Sequence, residues 1–184
     1  MLSGVDAGEK IPEGLHIGDT APDFKGINQK GEIIHLYDAL KKGKVVLLFY
    51  RGYWCGSCNK YLADYQDSLR LITARGARII AVTPEQSDGV DKTIEKTGAG
   101  FDIVSDHENT IMKKYDVDFK VTSTYKSLVN LFKSVSIAEN NDQEEAWLPV
   151  PATYIINKKG IIEFVQFDPD YKNRASVKQM LKNL

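Results

Sequence analysis

The fold class the sequence predicts is an α/β domain with a mixed central sheet and helices on both faces, and three observations predict it. The run Val45-Val46-Leu47-Leu48-Phe49-Tyr50 is entirely aliphatic, β-branched or aromatic, the composition of a strand buried on both faces. Beyond it, Tyr61, Leu62, Tyr65, Leu69 and Ile72 recur at helical spacing, with polar Asn59, Asp64, Gln66, Asp67 and Arg70 between them. A second apolar run, Ala77-Arg78-Ile79-Ile80-Ala81-Val82, follows and stops at Thr83-Pro84, where proline cannot continue a ladder. Strand, helix, strand with a helical crossover implies parallel pairing and a right-handed connection.

The remaining elements are placed around that unit. With 184 residues, 42% of them hydrophobic and 27% charged, the chain suffices for one domain with a sizeable core. Residues 1–16 read as a glycine-containing lead-in and 17–184 as a single domain. Phe24 to Leu36, with Lys30-Gly31 as its turn, reads as an N-terminal hairpin, and Tyr37 to Lys42 as a short helix. After the second strand come a helix from Val90 to Thr97, a short strand Phe101-Asp102-Ile103-Val104 and a short helix from Asn109 to Tyr115. Phe119 to Glu145 is an insertion in which helical spacing runs from Tyr125 to Ala138. It reads either as a flap packed on the domain or as a lid or dimer contact, with Trp147-Leu148 packing beneath the site. Ala152 to Asn157 and Ile161 to Phe167, joined by Lys158-Lys159-Gly160, form a hairpin that adds antiparallel strands, and Asn173 to Leu184 closes the chain as a helix.

The chemistry concentrates at the end of the first strand, where both cysteines of the protein stand in Arg51-Gly52-Tyr53-Trp54-Cys55-Gly56-Ser57-Cys58. The unpaired N–H groups and dipole of a helix start favour an anion, and a thiolate is one. Such a setting lowers a cysteine pKa from about 8.5 toward about 7 or below. Three other readings are weaker. A structural disulfide closing so short a loop stabilises little. A zinc site lacks further ligands, because His16, His35 and His107 are isolated, so no metal is expected. Inert packed thiols suit apolar flanks rather than a junction holding Gly56 and Ser57. Glu85, after the second strand, reads as a proton carrier for a buried thiol or as an acid at a helix start.

Trp54-Cys55-Gly56-Ser57-Cys58 resembles the active-site motif of thioredoxin-fold oxidoreductases, with Ser57 in place of proline. Thr20-Ala21-Pro22-Asp23-Phe24, Phe49-Tyr50-Arg51 and Ala81-Val82-Thr83-Pro84-Glu85 resemble peroxiredoxins of the alkyl hydroperoxide reductase and thiol-specific antioxidant (AhpC/TSA) superfamily, from about Ile17 to the C-terminus. The resemblance implies a thioredoxin-like three-layer sandwich with the N-terminal hairpin and the helical insertion before the Pro151 loop. It sets Cys58 at the family's peroxidatic cysteine, Cys55 at its supporting threonine and Arg51 at its proline. Pro151 occupies the place of its supporting arginine. Val150-Pro151-Ala152-Thr153 is similar instead to the cis-proline loop of thioredoxins, which implies a cis peptide before Pro151 and substrate contacts from Val150 and Pro151, with Trp54 shaping the groove. The competing reading of Pro151 is an ordinary trans proline starting a strand.

Three functions follow as expectations. The first is a thiol–disulfide oxidoreductase of antioxidant redox homeostasis in which Cys55 attacks and Cys58 resolves, with Trp54, Arg51, Val150 and Pro151 supporting. The second is a thiol peroxidase in which Cys58 is oxidised to sulfenic acid and Cys55 condenses with it. The third is a redox-sensing module without turnover. Expected partners are protein or small-molecule disulfides and thiols, hydroperoxides under the second reading, and an external thiol reductant such as thioredoxin. No nucleotide-binding glycine motif appears, so no cofactor is expected. A net charge of −1 gives no reason to expect nucleic acid or a membrane as partner. Met1-Leu2-Ser3-Gly4-Val5-Asp6 lacks a signal-peptide pattern, so a cytoplasmic location is expected unless a leader was trimmed, with a monomer or homodimer as the assembly.

Overall fold

The protein is described by a computed structural model that covers Gly4 and residues 11–184; most of the expected lead-in over 1–16 lies outside the described residues. An antiparallel hairpin of β1 (Lys25–Ile27) and β2 (Ile33–His35) comes first, with Ile27 opposite Ile33. Its turn is held by Asn28 Oδ1, which accepts from the N–H groups of Lys30 and Glu32, while Gly31 takes a φ of +78° that a side chain would resist. After α1 (Leu36–Lys42), the apolar run forms β3 (Lys44–Phe49), followed by α2 (Gly56–Asp67), α3 (Leu69–Ala74), β4 (Ala77–Thr83), α4 (Ser87–Thr97), β5 (Asp102–Ser105) and α5 (Thr110–Lys114). The insertion contains β6 (Asp118–Lys120), α6 (Ser123–Lys133), α7 (Ile137–Asn140) and β7 (Trp147–Pro149); β8 (Ala152–Ile156), β9 (Ile162–Phe167) and α8 (Val177–Asn183) complete the chain.

The main sheet has the order β5-β4-β3-β8-β9. Pairing is parallel from β3 to β4 and from β4 to β5, and antiparallel from β3 to β8 and from β8 to β9, so the sheet is mixed. Strand alternation divides the core in two. Val46, Leu48 and Tyr50 face a cluster with Cys58, Leu62, Tyr65, Ile72 and Met180, from α2, α3 and α8. Val45, Leu47 and Phe49 face Leu36 and Leu40 of α1 and Met112 of α5. Helices therefore cover both faces, and the strand expected to be buried on both sides is central. Among the described residues, no helix is long and apolar enough to cross a membrane.

The structure corrects four local expectations. The helix after the cysteines breaks at Ser68 (φ −98°, ψ 4°), a kink that keeps Leu62, Tyr65 and Ile72 all buried. The helix expected from Tyr125 to Ala138 ends at Ser134, which adopts a left-handed φ of +52°. A single helix would point Val129, Val135 and Ile137 in three directions, whereas the break buries all three. The strands β6 and β7 pair as a separate ribbon too short for its alternation to register in the sequence. The last helix starts only after Ser176, whose side chain accepts from the Gln179 N–H while the Gln179 side chain returns to the Ser176 N–H. Residues 173–176 are thereby left outside the helix, and Arg174 among them reaches Cys58.

Candidate redox site

The register pairs Phe49 with Val82 on one side and with Ala152 on the other, which brings the ends of β3 and β4 and the start of β8 together at one edge of the sheet. Cys55 is the N-cap of α2. Its N–H donates to the Gly52 carbonyl at 3.0 Å, and its sulfur accepts from the Cys58 N–H at 3.3 Å. The sulfur thus takes the capping role that a Ser or Asp oxygen fills in other helices, and it receives the orphan donor and the positive dipole end of α2. Cys55 and Cys58 are joined as a disulfide with Cα atoms 5.3 Å apart. Both are buried, Cys55 with 6% of its surface exposed and Cys58 with 1%.

A side chain from far along the chain completes the sulfur environment. Arg174 donates from Nη2 to Cys58 Sγ at 3.4 Å and from Nε to the Tyr171 carbonyl at 2.8 Å, and its guanidinium lies 5.7 Å from the Tyr61 ring centroid. Burial and the neighbouring positive charge of Arg51 lower its pKa to about 10, so it remains a cation. No feature of the sequence near residue 174 marks it, because the contact spans 116 positions. A cavity of about 10 Å³, room for about one water, lies between Cys58, Thr153, Tyr61, Tyr65 and Arg174.

Arg51, expected among the supporting residues, makes no hydrogen bond to either sulfur among the described residues. It is fully buried in a box of Phe119, Tyr125 and Tyr171, whose ring centroids lie 5.4, 5.6 and 4.8 Å from its guanidinium. Nη1 donates to the Tyr125 hydroxyl at 3.0 Å, whereas Nε and Nη2 have no hydrogen-bond partner among the described residues. Desolvation lowers its pKa. Its positive charge acts on Arg174, whose pKa it helps to lower.

Glu85 lies fully buried below the loop that precedes Cys55. Its Oε1 accepts from the Tyr53 N–H at 2.9 Å and from Asn140 Nδ2 at 3.1 Å, and Oε2 accepts from the Thr93 hydroxyl at 3.4 Å. Burial raises its pKa to about 7, against the opposing pull of those three donors. Gly52 makes this approach possible: a Cβ there would stand 2.5 Å from Glu85 Oε1 and 2.7 Å from Trp54 Nε1, at a φ of +153°. Trp54 is buried and its Nε1 has no hydrogen-bond partner among the described residues.

Val150 belongs to the same buried cluster as Trp54, Cys55 and Cys58, and its N–H donates to the Val117 carbonyl at 2.7 Å. The cis peptide implied before Pro151 is not found: no peptide among the described residues is cis, so Pro151 leads into β8 in the trans form that X–Pro bonds favour. The insertion supports the site from two points the sequence did not reveal, Tyr125 on Arg51 and Asn140 on Glu85, and Leu148 packs in the cysteine cluster. A larger surface depression of about 560 Å³, near Gln86, Ser87 and His107, is lined by neither cysteine.

Comparisons with known proteins bear on the family and the fold. The thiol-disulfide oxidoreductase ResA of Geobacillus kaustophilus is 32% identical over 102 residues, which are 55% of this chain and 58% of that protein. The alignment thus spans less than two thirds of that relative's length. The putative peroxiredoxin bcp of Helicobacter pylori is 26% identical over 163 residues, covering 89% of this chain and 95% of that one. Peroxidoxin BcpB from Mycobacterium tuberculosis superposes with a TM-score of 0.71 at 18% identity over 95% of this chain and 96% of its own, which shows a shared fold. A putative thiol:disulfide interchange protein DsbE from Chlorobium tepidum gives 0.60 at 20% identity over 92% and 98%. Residues 17–165 match the model of the AhpC/TSA family, to which this chain belongs.

Proposed function

We propose that this protein is an oxidoreductase whose redox centre is the Cys55–Cys58 pair, and that it exchanges thiols and disulfides. The carrying observation is the pairing of the two sulfurs within the first turn of α2, with the Cys58 N–H on Cys55 Sγ. In the reduced protein, the Cys55 thiolate attacks one sulfur of a substrate disulfide and releases the other as a thiolate, which takes a proton from solvent. Cys58 then attacks Cys55 of the mixed disulfide, and the second substrate thiol leaves, so two electrons pass from the protein to the substrate. An external dithiol of thioredoxin type restores the pair. Glu85 acts as a positioning residue: its carboxyl is half-protonated near neutral pH and holds the Tyr53 N–H below the loop.

Arg174 favours a second reading, thiol peroxidase, because a guanidinium on Cys58 Sγ stabilises the thiolate that would attack a peroxide. Stopped-flow fluorescence of Trp54 in the reduced protein, mixed separately with a disulfide and with hydrogen peroxide, separates the two. Fast disulfide exchange with sluggish peroxide oxidation is expected, together with a stable mixed disulfide on Cys55 in Cys58→Ser. Rapid peroxide oxidation with slow exchange, and sulfenic acid on Cys58 in Cys55→Ser, would replace the first reading by the second.

A further inference from the structure

Beside the disulfide a cleft of about 530 Å³ opens between α2 and the segment that leads into α8. Tyr61, Tyr65 and Arg174 line both this cleft and the small cavity that touches Cys58, so the two spaces meet at those three side chains. The cleft has a polarity. Lys172, Arg174 and Lys178 stand along one wall; Asp64 and Asp67 stand on the other, and Asp64 is engaged by Lys60 at 2.9 Å.

Arg174 makes no ion pair with a carboxylate among the described residues. Arg51 stands near it, its own Nε and Nη2 without hydrogen-bond partners among the described residues and Asp170 as the acidic group in electrostatic reach of Arg51. Two largely buried guanidiniums set against each other are unfavourable unless an anion joins them. The Tyr61 and Tyr65 rings, packed edge to face with centroids 5.0 Å apart, give the cleft an aromatic wall. An aromatic wall, the positive charges of Lys172 and Lys178 and a cation in contact with sulfur are the elements of a site for a small acid that carries a reactive sulfur.

We infer that this cleft binds small disulfides bearing carboxylates, with the carboxylate on Arg174 and the disulfide reaching Cys58 only once the Arg174 side chain turns from the buried sulfur into the cleft, as a second approach to the redox pair. The inference rests on the thiol–disulfide reading above and adds its small-molecule substrate class. A carboxylate fits the planar donors of a guanidinium, and a two-carbon spacer such as that of 3,3′-dithiodipropionate carries its sulfur from Arg174 toward Cys58. In the exchange, the Cys58 thiolate attacks one substrate sulfur and 3-mercaptopropionate leaves, taking up a proton. The Cys55 thiolate then attacks Cys58 of the mixed disulfide and releases the second 3-mercaptopropionate. Protein dithiol and substrate disulfide become protein disulfide and two substrate thiols.

The test compares three disulfides of similar size: 3,3′-dithiodipropionate as the anion, bis(2-hydroxyethyl) disulfide as the neutral probe and cystamine as the cation. Mass spectrometry follows the rate of adduct formation at Cys58 in Cys55→Ser and at Cys55 in Cys58→Ser. The expected result is an adduct at Cys58 that forms about 10-fold faster with the anion than with the neutral probe, and slowest with cystamine, the preference falling to near unity in Cys55→Ser/Arg174→Met. Because Arg174 also affects the Cys58 thiolate, the ratio of anion to neutral rates is the quantity read, not either rate alone. Isothermal titration of the disulfide form with 3,3′-thiodipropionate, a thioether that cannot exchange, is expected to show binding that Arg174→Met removes. Equal rates for the three probes and no thioether binding would overturn the inference while leaving the oxidoreductase reading intact. Thioether binding without adducts from any disulfide in either variant would overturn that reading instead, and with it the inferred substrate class.

Discussion

A cation touching sulfur acts on one protonation state only. Arg174 stabilises a Cys58 thiolate and leaves the thiol almost unaffected, so its removal is expected to raise the Cys58 pKa by about one unit or more. Ultraviolet titration of the thiolate in Cys55→Ser, with and without Arg174→Met, measures that shift; an unchanged pKa would show the guanidinium to be a packing element. Glu85 is the second residue whose charge state matters. Its folded-state pKa of about 7 lies above the ordinary glutamate value of 4.5, so between those values the folded protein binds more protons than the unfolded chain. Stability therefore falls as pH rises through that window, by about 3 kcal/mol in all, and levels off above it. Glu85→Gln is expected to remove most of this slope, read from urea midpoints across pH 5–8. The two residues differ in how far the sequence exposes them. Glu85 follows a strand that ends at a proline, which is a local signal, whereas Arg174 stands in a polar stretch with no pattern of its own.

Among the elements, α2 and α8 matter most to the sulfurs, one directly and one through its start. The position of Cys55 as N-cap of α2 was legible because an apolar strand, a glycine-containing turn and a helical periodicity follow one another without a gap. The start of α8 was not, since its capping box lies inside a run where Asn173 to Leu184 all suit a helix. Were the helix to begin at Asn173, the backbone near Arg174 would coil and its side chain would leave Cys58. Ser176→Ala is expected to cost about 1 kcal/mol of stability in thermal or denaturant unfolding. The same variant loosens the hold on residues 173–176, so Cys58 alkylation in the Cys55→Ser background should become faster and less dependent on Arg174. The insertion shows a similar limit. Its apolar residues were visible, but their division between α6 and α7 at Ser134 depends on where Val129, Val135 and Ile137 find the core.

For the whole molecule, the disulfide and the fold are linked through a thermodynamic cycle. A bond closing so short a loop restricts the unfolded chain little, about 2 kcal/mol in the entropic account, and a stabilised thiolate in the reduced protein offsets part of that. Reduction with dithiothreitol is thus expected to lower the unfolding free energy by less than about 2 kcal/mol, with both forms unfolding cooperatively, and Arg174→Met should widen the gap between them. The mixed sheet, its helical covers and the cysteine pair at the end of β3 were determined by the sequence itself, because runs of apolar residues, their period and the spacing of two cysteines are properties of short stretches. The aromatic box around Arg51, the seat of Glu85 against Asn140 and the reach of Arg174 to Cys58 were decided only by tertiary structure. Each depends on chain segments tens of residues apart meeting where the low dielectric of the interior makes an unpaired charge costly and a paired one strong, and no local pattern records such a meeting.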